Sequence, residues 1–463
     1  MRLDRVMIAA PKSGSGKTTI TCALLQTFKD MGKKVVSYKC GPDYIDPMFH
    51  REVLHIPSKN LDTFFTDEKE TKRLFLKHRT EEEFAVIEGV MGLYDGLGGI
   101  REEGSAYHLA KVTKTPIILV VDAKGMGRSV VPLIAGFLKY DREHLIKGVI
   151  LNRMSKSYYE IIKPVIEEEL HICVAGYFAH QPQLHIESRH LGLCLPTELQ
   201  GIEEQLHIAA EELQKSVSMK QIIQIAESAE ELEVCKRTES ILEHPKAGCQ
   251  KERPVIAAAK DEAFCFYYED NLQMLQECGA KIEYFSLLHD TELPKGSSGI
   301  LIGGGYPELF AEELSKNTGM LSEIKKAVED GMPLVAECGG FMYLHTAIKD
   351  KDEKSHKMSE VIGAECHDTG KLVRFGYIEL EEKQSNFLEA GTKIKGHEFH
   401  YFDSENNGSD CTAVKPATGK SYSCVISKEN VWMGFPHLYY PSNPSFAYNF
   451  VKKANRYSDS KRR

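Results

Sequence analysis

The chain has 463 residues, 42% of them hydrophobic and 27% charged, which excludes wholesale disorder and leaves room for about two to four domains. Acidic residues outnumber basic ones by 67 to 58, a net charge of −9, so bulk charge attracts neither nucleic acid nor an anionic membrane. No run of about 18 apolar residues predicts a membrane-spanning helix, and the twelve cysteines show no C-x-x-C spacing, which favours a reducing, cytoplasmic compartment over a zinc site or a disulfide framework.

The short apolar run Val6–Ala10 reads as a first buried strand rather than a signal peptide. From Gly16 onward Ile20, Ala23, Leu24, Thr27, Phe28 and Met31 follow helical spacing, and Gly32 supplies the stop. Strands are expected at Val35–Tyr38, Phe84–Ile87, Ile117–Asp122 and Val149–Leu151, with helices around 66–77, 104–113, 128–139 and 157–170. Short apolar strands alternating with helices predict an α/β unit with a doubly wound parallel sheet. Ala226–Arg253 is rich in Glu and Lys and contains Pro245 and Gly248, so a terminal helix and then a solvated linker are expected. A second α/β unit restarts at Val255–Ala259. It continues with a helix near 267–278, strands near 281–285 and at Gly299–Ile302, two helices, and a strand at Leu334–Ala336. The predicted division is 1–235, a linker at 236–252, and 253–463.

Between the first strand and first helix lies Ala10-Pro11-Lys12-Ser13-Gly14-Ser15-Gly16-Lys17-Thr18-Thr19. Gly14 and Gly16 let backbone N–H groups turn toward an anion, and the helix N-terminus adds its positive dipole end. In such a loop Lys17 reaches the β- and γ-phosphates of ATP, and the Thr18 hydroxyl ligates Mg²⁺. Pro11 stands where the strict G-x-x-x-x-G-K-[ST] pattern has its first Gly, which makes this a variant loop. Lys12 has two open readings: a second phosphate lysine, as in dimeric P-loop ATPases, or a plain surface lysine.

Two acidic stretches follow the second and third strands: Cys40-Gly41-Pro42-Asp43-Tyr44-Ile45-Asp46-Pro47, and Glu88-Gly89-Val90-Met91-Gly92-Leu93-Tyr94-Asp95-Gly96. Both sit at strand C-terminal ends, the ligand-binding edge of open parallel sheets. Asp43, Asp46, Glu88 and Asp95 are therefore predicted to converge near the phosphate loop, where carboxylate oxygens help hold Mg²⁺. Taken alone, Asp43 and Asp46 would read as turn residues beside prolines. These two gap-free stretches resemble the signature segments of the cobyrinic acid a,c-diamide synthase family. That family is the cobalamin-pathway branch of the dethiobiotin-synthetase-like ATPases. The resemblance implies that Asp43, Asp46, Glu88 and Asp95 handle Mg²⁺, ATP and a carboxylate substrate, with Thr18, Asp43 and Glu88 on the metal and Thr19 beside the nucleotide.

In the second unit Leu334-Val335-Ala336-Glu337-Cys338-Gly339-Gly340-Phe341 reads as strand, sharp turn and helix, a nucleophile elbow with Cys in place of Ser. A helix N-terminus favours the thiolate, so Cys338 is expected to be activated. The other cysteines are expected to be inert packing residues. The order of an elbow Cys and a late His resembles class I glutamine amidotransferases, and the resemblance makes His437 the base and then the acid toward ammonia. Gly303-Gly304-Gly305 after a strand resembles the oxyanion loop of that family. Tyr439 stands where those enzymes carry a Glu two residues after the His, so nothing obvious orients His437. His397 and His400, in Gly-His-Glu-Phe-His, read as a structural or substrate-side element.

Together these features predict two α/β domains: an N-terminal P-loop doubly wound parallel sheet and a C-terminal class I glutamine amidotransferase-like domain. The resemblance implies that glutamine, hydrolysed at Cys338, supplies ammonia to a carboxylate phosphorylated by MgATP. The product would be the a- and c-amides of cobyrinate, a corrinoid acid. It also suggests a homodimer, with no nucleic-acid or membrane partner. Hydrogenobyrinate and nickel-sirohydrochlorin stay open as substrates for the same chemistry. From another class, a non-enzymatic P-loop ATPase switch stays open through Lys12.

Overall fold

Val6, Met7, Ile8 and Ala9 are successive residues and all fully buried. A strand with no solvent face requires parallel neighbours and helices on both sides. In the computed structural model, which describes residues 1–181, 188–189, 192–193, 201–233 and 253–462, this strand is β1 (Asp4–Ala9). The chain divides into two compact units, Met1–Arg237 and Thr238–Arg463. The expected linker at 236–252 lies outside the described residues.

The first unit holds a seven-stranded sheet. Its strands are β1, β2 (Lys34–Cys40), β3 (Ser58–Leu61), β4 (Glu83–Glu88), β5 (Ile117–Asp122), β6 (Ile146–Asn152) and β7 (Cys173–Phe178), in the order β3-β2-β4-β1-β5-β6-β7. Every pairing is parallel. The five expected strands fall on observed ones; β3 and β7 were not expected. The chain runs outward from β1 to β3, returns at β4, and crosses to β5, so the loops after β1 and β4 meet at the C-terminal edge. Helix α1 (Lys17–Asp30) begins directly after the phosphate loop. Helix α2 (Ile45–Glu52), not assigned from the sequence, follows Asp43: Pro47 sits in its first turn, where a missing N–H costs nothing. Asp43 starts that helix by accepting the N–H groups of Ile45 and Asp46 at 2.8 and 3.0 Å. The helix Met219–Glu227 ends where the Glu- and Lys-rich stretch begins. Among the described residues no helix is long and apolar enough to cross a membrane.

The second unit is built on a six-stranded sheet in the order Lys281–Phe285, Val255–Ala259, Ser297–Ile302, Leu334–Glu337, Val431–Gly434, Ile426–Ser427. All pairings are parallel except the last. One apolar core fills each face, one around Phe341 and Ile302, the other around Trp432 and Phe446. A five-stranded antiparallel sheet was not expected. It runs Ser421–Cys424, Cys411–Val414, Arg374–Glu382, Lys393–His400, His437–Leu438, and its last pairing sets His397 directly opposite His437.

Candidate functional sites

The phosphate loop turns through Gly14 and Gly16, with φ of 74° and 89°, a region that only glycine enters at little cost. At Gly16 there is also no room: a Cβ would lie 2.2 Å from Asn152 Nδ2, and that amide donates to the Ser15 carbonyl at 2.8 Å. Arg153, after β6, donates to the Gly14 carbonyl at 3.1 Å and pairs with Asp122 at 2.9 Å. Asn152 and Arg153 thus brace the loop from the end of β6, a strand expected from sequence at Val149–Leu151, although neither residue was singled out there. The loop after β4 packs on the same place. Leu93 donates to the Ala10 carbonyl at 2.8 Å, and a Cβ on Gly92 would meet the Pro11 carbonyl at 2.7 Å.

Lys17 is buried and folds back on carbonyl oxygens, donating to those of Lys12 (3.3 Å) and Met91. Burial, with Lys39 nearby, lowers its pKa to about 8. Thr18 and Thr19 lie in the first turn of α1, both half-buried, and Thr18 Oγ1 donates to Glu88 Oε1 at 2.6 Å. The backbone of Lys12 belongs to the loop, but its side chain is exposed.

Three of the four predicted carboxylates meet around a residue the sequence reading passed over. Lys39, buried at the end of β2, pairs with Asp46 and, at 2.9 Å, with Glu88. Burial opposes its charge, but Asp46, Glu88 and Asp43 outweigh that and hold its pKa well above the usual lysine value. Desolvation and the neighbouring Asp46 push Asp43 up to about 7. Burial also raises Glu88, whose Oε2 has no hydrogen-bond partner among the described residues; His50 Nε2 lies 3.6 Å from it. Asp95 is used differently: its Oδ2 accepts the Gly92 N–H at 2.9 Å and closes its own loop. No group of three or more His, Cys, Asp or Glu poised to hold a metal ion occurs among the described residues.

In the second unit Cys338 occupies φ 50°, ψ −105° between the strand Leu334–Glu337 and the short helix Gly339–Tyr343. Such a backbone is strained for any residue with a Cβ. It is held by the Cys338 N–H on the Gly434 carbonyl at 2.9 Å and by the Met342 N–H on the Cys338 carbonyl at 3.0 Å. The glycines behind it are required by close approach: a Cβ on Gly339 would sit 3.1 Å from Gly305 N, and one on Gly340 would sit 2.3 Å from the Ile302 carbonyl oxygen. The thiol itself departs from the expected activation. Burial, with Glu308, Glu398 and Glu337 nearby, pushes the Cys338 thiol up, against the smaller pull of the Gly339 N–H. Desolvation here outweighs one short helix's dipole.

The Gly303–Gly305 loop and His437 converge beside this elbow. A Cβ on Gly304 would lie 2.4 Å from His437 Cε1. Gly340 donates to the Gly303 carbonyl at 3.0 Å, while the Gly303 N–H itself is given to Tyr267 Oη at 2.8 Å. Any oxyanion donor in the loop must therefore come from Gly304 or Gly305. His437 is buried, and burial lowers its pKa to about 3, with His400 adding to the effect. The His397 ring stacks on it at 4.9 Å and 17°, while His400 lies flat on Phe435 at 4.0 Å. Tyr439 turns away and donates to Asp270 Oδ2 at 3.0 Å. The carboxylate next to His437 is Glu337, with Oε2 4.0 Å from His437 Nδ1. It precedes the nucleophile in the chain and lies 100 residues before the histidine, so no spacing around His437 reveals it.

Comparison with known proteins agrees with these two sites. Residues 6–186 match the CobQ/CobB/MinD/ParA nucleotide binding domain, and residues 255–444 the CobB/CobQ-like glutamine amidotransferase domain. Fold and sequence together define a nucleotide-binding P-loop unit joined in one chain to a glutamine amidotransferase unit. Over nearly its whole length the chain is similar to proteins named cobyrinate a,c-diamide synthase. The one from Caldanaerobacter subterraneus is 39% identical, covering 93% of this chain and 94% of the relative. That from Dehalococcoides mccartyi is 38% identical over 98% of both, and that from Listeria innocua is 36% identical over 96% and 98%. The chain belongs to the cobyrinate a,c-diamide synthase family.

Proposed function

We propose that this protein is a glutamine-dependent amide ligase of cobalamin biosynthesis that uses ATP to convert the a- and c-acetate carboxylates of cobyrinate to amides. The observation that carries this reading is full-length similarity to enzymes of that name, in a chain that has both a phosphate loop and a cysteine elbow. The working division is residues 1–235 for the synthetase and 253–463 for the glutaminase, joined by 236–252. We place the enzyme in the cytoplasm, a setting in keeping with nine free cysteines among the described residues, and assign it a homodimer as its assembly.

In the synthetase unit Gly14, Gly16 and the N-terminus of α1 face the ATP phosphates, with Thr19 beside them. Lys17 Nζ leaves the carbonyls of Lys12 and Met91 for the β- and γ-phosphate oxygens. The donors fit a magnesium ion: a threonine hydroxyl on Glu88, a buried Glu88 oxygen with no hydrogen-bond partner among the described residues, and the Asp43 and Glu88 carboxyls, whose burial disfavours a charge left without a cation. Mg²⁺ takes one or two carboxylates, with phosphate oxygens and water completing its shell; here Thr18, Asp43 and Glu88 would hold it. Bound there it would neutralise charge on the phosphates. Asp46 and Asp95 complete the carboxylate-handling wall. The substrate carboxylate attacks the γ-phosphorus, giving an acyl phosphate and ADP.

In the glutaminase unit Cys338 Sγ attacks the side-chain amide carbon of glutamine while His437 takes the thiol proton. The Gly303–Gly305 loop faces the oxyanion. His437 returns the proton to the departing ammonia, and water then releases glutamate from the thioester. Ammonia displaces phosphate from the acyl phosphate, leaving an amide.

The test is product mass after incubation with MgATP, glutamine and cobyrinate: two successive acid-to-amide conversions are expected. Cys338→Ala should lose glutamine-supported conversion by about 10³-fold or more and keep the ammonia-supported reaction. Conversion of hydrogenobyrinate or nickel-sirohydrochlorin instead would move the substrate. ATP hydrolysis indifferent to glutamine and to every tetrapyrrole would replace the ligase with a P-loop switch.

A further inference from the structure

His437 lies at the elbow, and the position two residues after it holds Tyr439, whose hydroxyl is committed to Asp270. Tyr268 Oη and His397 Nδ1 bond each other at 3.1 Å, and His400 Nδ1 faces the Phe402 carbonyl at 2.7 Å, its Nε2 lying 4.0 Å from Glu398 Oε1. Glu337 is the carboxyl that faces the His437 ring itself. It is buried at the last position of the nucleophile strand, where a carboxyl needs a partner. Its Oε1 has no hydrogen-bond partner among the described residues. His437 is the side chain within 4.0 Å that can carry a positive charge, and its Nδ1 faces Glu337 Oε2. The Leu438 N–H donates to the same carboxyl group, so the backbone adjoining His437 fixes Glu337 beside the ring. Strand register sets the pair up: Glu337 lies opposite Gly434, three residues before His437.

We propose that Glu337 is the positioning residue for His437, its carboxylate accepting the Nδ1 proton so that Nε2 is the base toward Cys338. The proposal rests on the reading of His437 as that base. The third group of the triad has thus moved from two residues after the histidine to the residue before the nucleophile. A 4.0 Å separation is a resting distance, and catalytic hydrogen bonds commonly shorten when substrate binds. The titratable groups facing Glu337 are His437, Cys338, Tyr267 and Tyr440; His397 and His400 face the imidazole. Burial pushes Glu337 up to about 8. With the carboxyl protonated, its O–H donates to Nδ1 and leaves Nε2 as N–H, the tautomer that cannot accept from the thiol. Loss of one proton from the pair gives the working form: carboxylate, Nδ1–H and a free Nε2.

The experiment measures glutamine hydrolysis and ammonia-supported amidation on the full chain for wild type, Glu337→Gln and Glu337→Asp. Glu337→Gln should lower kcat for glutamine by about 10²-fold or more, as loss of a tautomer-setting carboxylate does in catalytic triads, with KM within about twofold. Its ammonia-supported rate should match wild type, and Glu337→Asp should recover part of the loss. The rising limb of kcat/KM near pH 8 should vanish in Glu337→Gln. Unchanged glutamine turnover in Glu337→Gln overturns the proposal. So does an equal fall in the glutamine- and ammonia-supported rates, which marks a merely structural glutamate. Cys338→Ala run in parallel separates the two levels: glutamine hydrolysis surviving in it sinks the elbow reading itself, whereas its loss beside an active Glu337→Gln sinks only the role of Glu337.

Discussion

Each unit ends a parallel strand on a buried glutamate, Glu88 on β4 and Glu337 on the strand before Cys338. The two are treated oppositely. Glu88 shares a buried ammonium, Lys39, with Asp46 and takes a hydrogen bond from Thr18. Glu337 has one backbone N–H and a neutral imidazole at 4.0 Å. A site that must receive a polyphosphate and a second anion benefits from a permanent cation that keeps its carboxylates in place. A site that moves single protons needs a carboxyl whose proton can leave, and a nearby lysine would fix it in one state. The difference in charge compensation follows the difference in chemistry.

The comparison breaks most directly at Lys39. In Lys39→Met the ammonium is replaced by a side chain of similar length, and two carboxylates lose their cation. Breaking a buried pair from one side costs about 3–5 kcal/mol. Chemical unfolding of the full chain reads the loss, with the transition of the nucleotide-binding unit recognised because ATP shifts it. The cost should shrink as pH falls and the orphaned carboxyls take up protons. An unchanged midpoint at neutral pH would mean that Lys39 does not compensate the cluster.

Lys17 sharpens the same contrast through binding. Its pKa in the free protein lies near 8, lowered by burial and by Lys39, and phosphate oxygens at Nζ would raise it. Between those two values binding takes up a proton, so nucleotide affinity should fall with rising pH above about 8, by up to about tenfold per pH unit. Below pH 8 the lysine is charged in both states and this dependence disappears. Titration calorimetry in two buffers of different ionisation enthalpy measures the uptake at pH 9. No uptake there would place Lys17 away from the phosphates.

Much of this was legible in the sequence, for reasons that differ by element. The strand Ile117–Asp122, apolar up to its last residue, and the loop Gly14–Thr19 announce themselves through composition and spacing. Strand β3, Ser-Lys-Asn-Leu, lies at the sheet edge and is too polar to read as a strand. Helix α2 was hidden by Pro47, and the antiparallel sheet around Arg374–Glu382 by alternating charges and tyrosines. At the sites, pattern finds nucleophiles better than their electrostatics. Cys338 could be located, but the burial that raises its thiol depends on packing from distant segments. Lys39 in isolation reads as a solvated lysine; only the fold shows three carboxylates converging on it.

Tyr439 gives the smallest and most discriminating effect. Its hydroxyl donates to Asp270 at 3.0 Å, and its ring meets Tyr268 edge-on at 5.2 Å. Tyr268 in turn bonds His397, whose ring stacks on His437. In Tyr439→Phe the ring and its packing remain while one hydrogen bond to a buried carboxylate is lost, a cost of about 1–3 kcal/mol. Thermal or chemical unfolding should register that destabilisation, and glutamine turnover should stay within about twofold of wild type, since the hydroxyl is not on the imidazole. A fall in kcat comparable to that of Glu337→Gln would mean that Tyr439 positions His437 through Asp270 and Tyr268, and the carboxylate before the nucleophile would lose its claim to the role. Turnover intact beside a measurable loss of stability leaves Tyr439 as a packing residue and returns the orientation of His437 to the strand that carries Cys338.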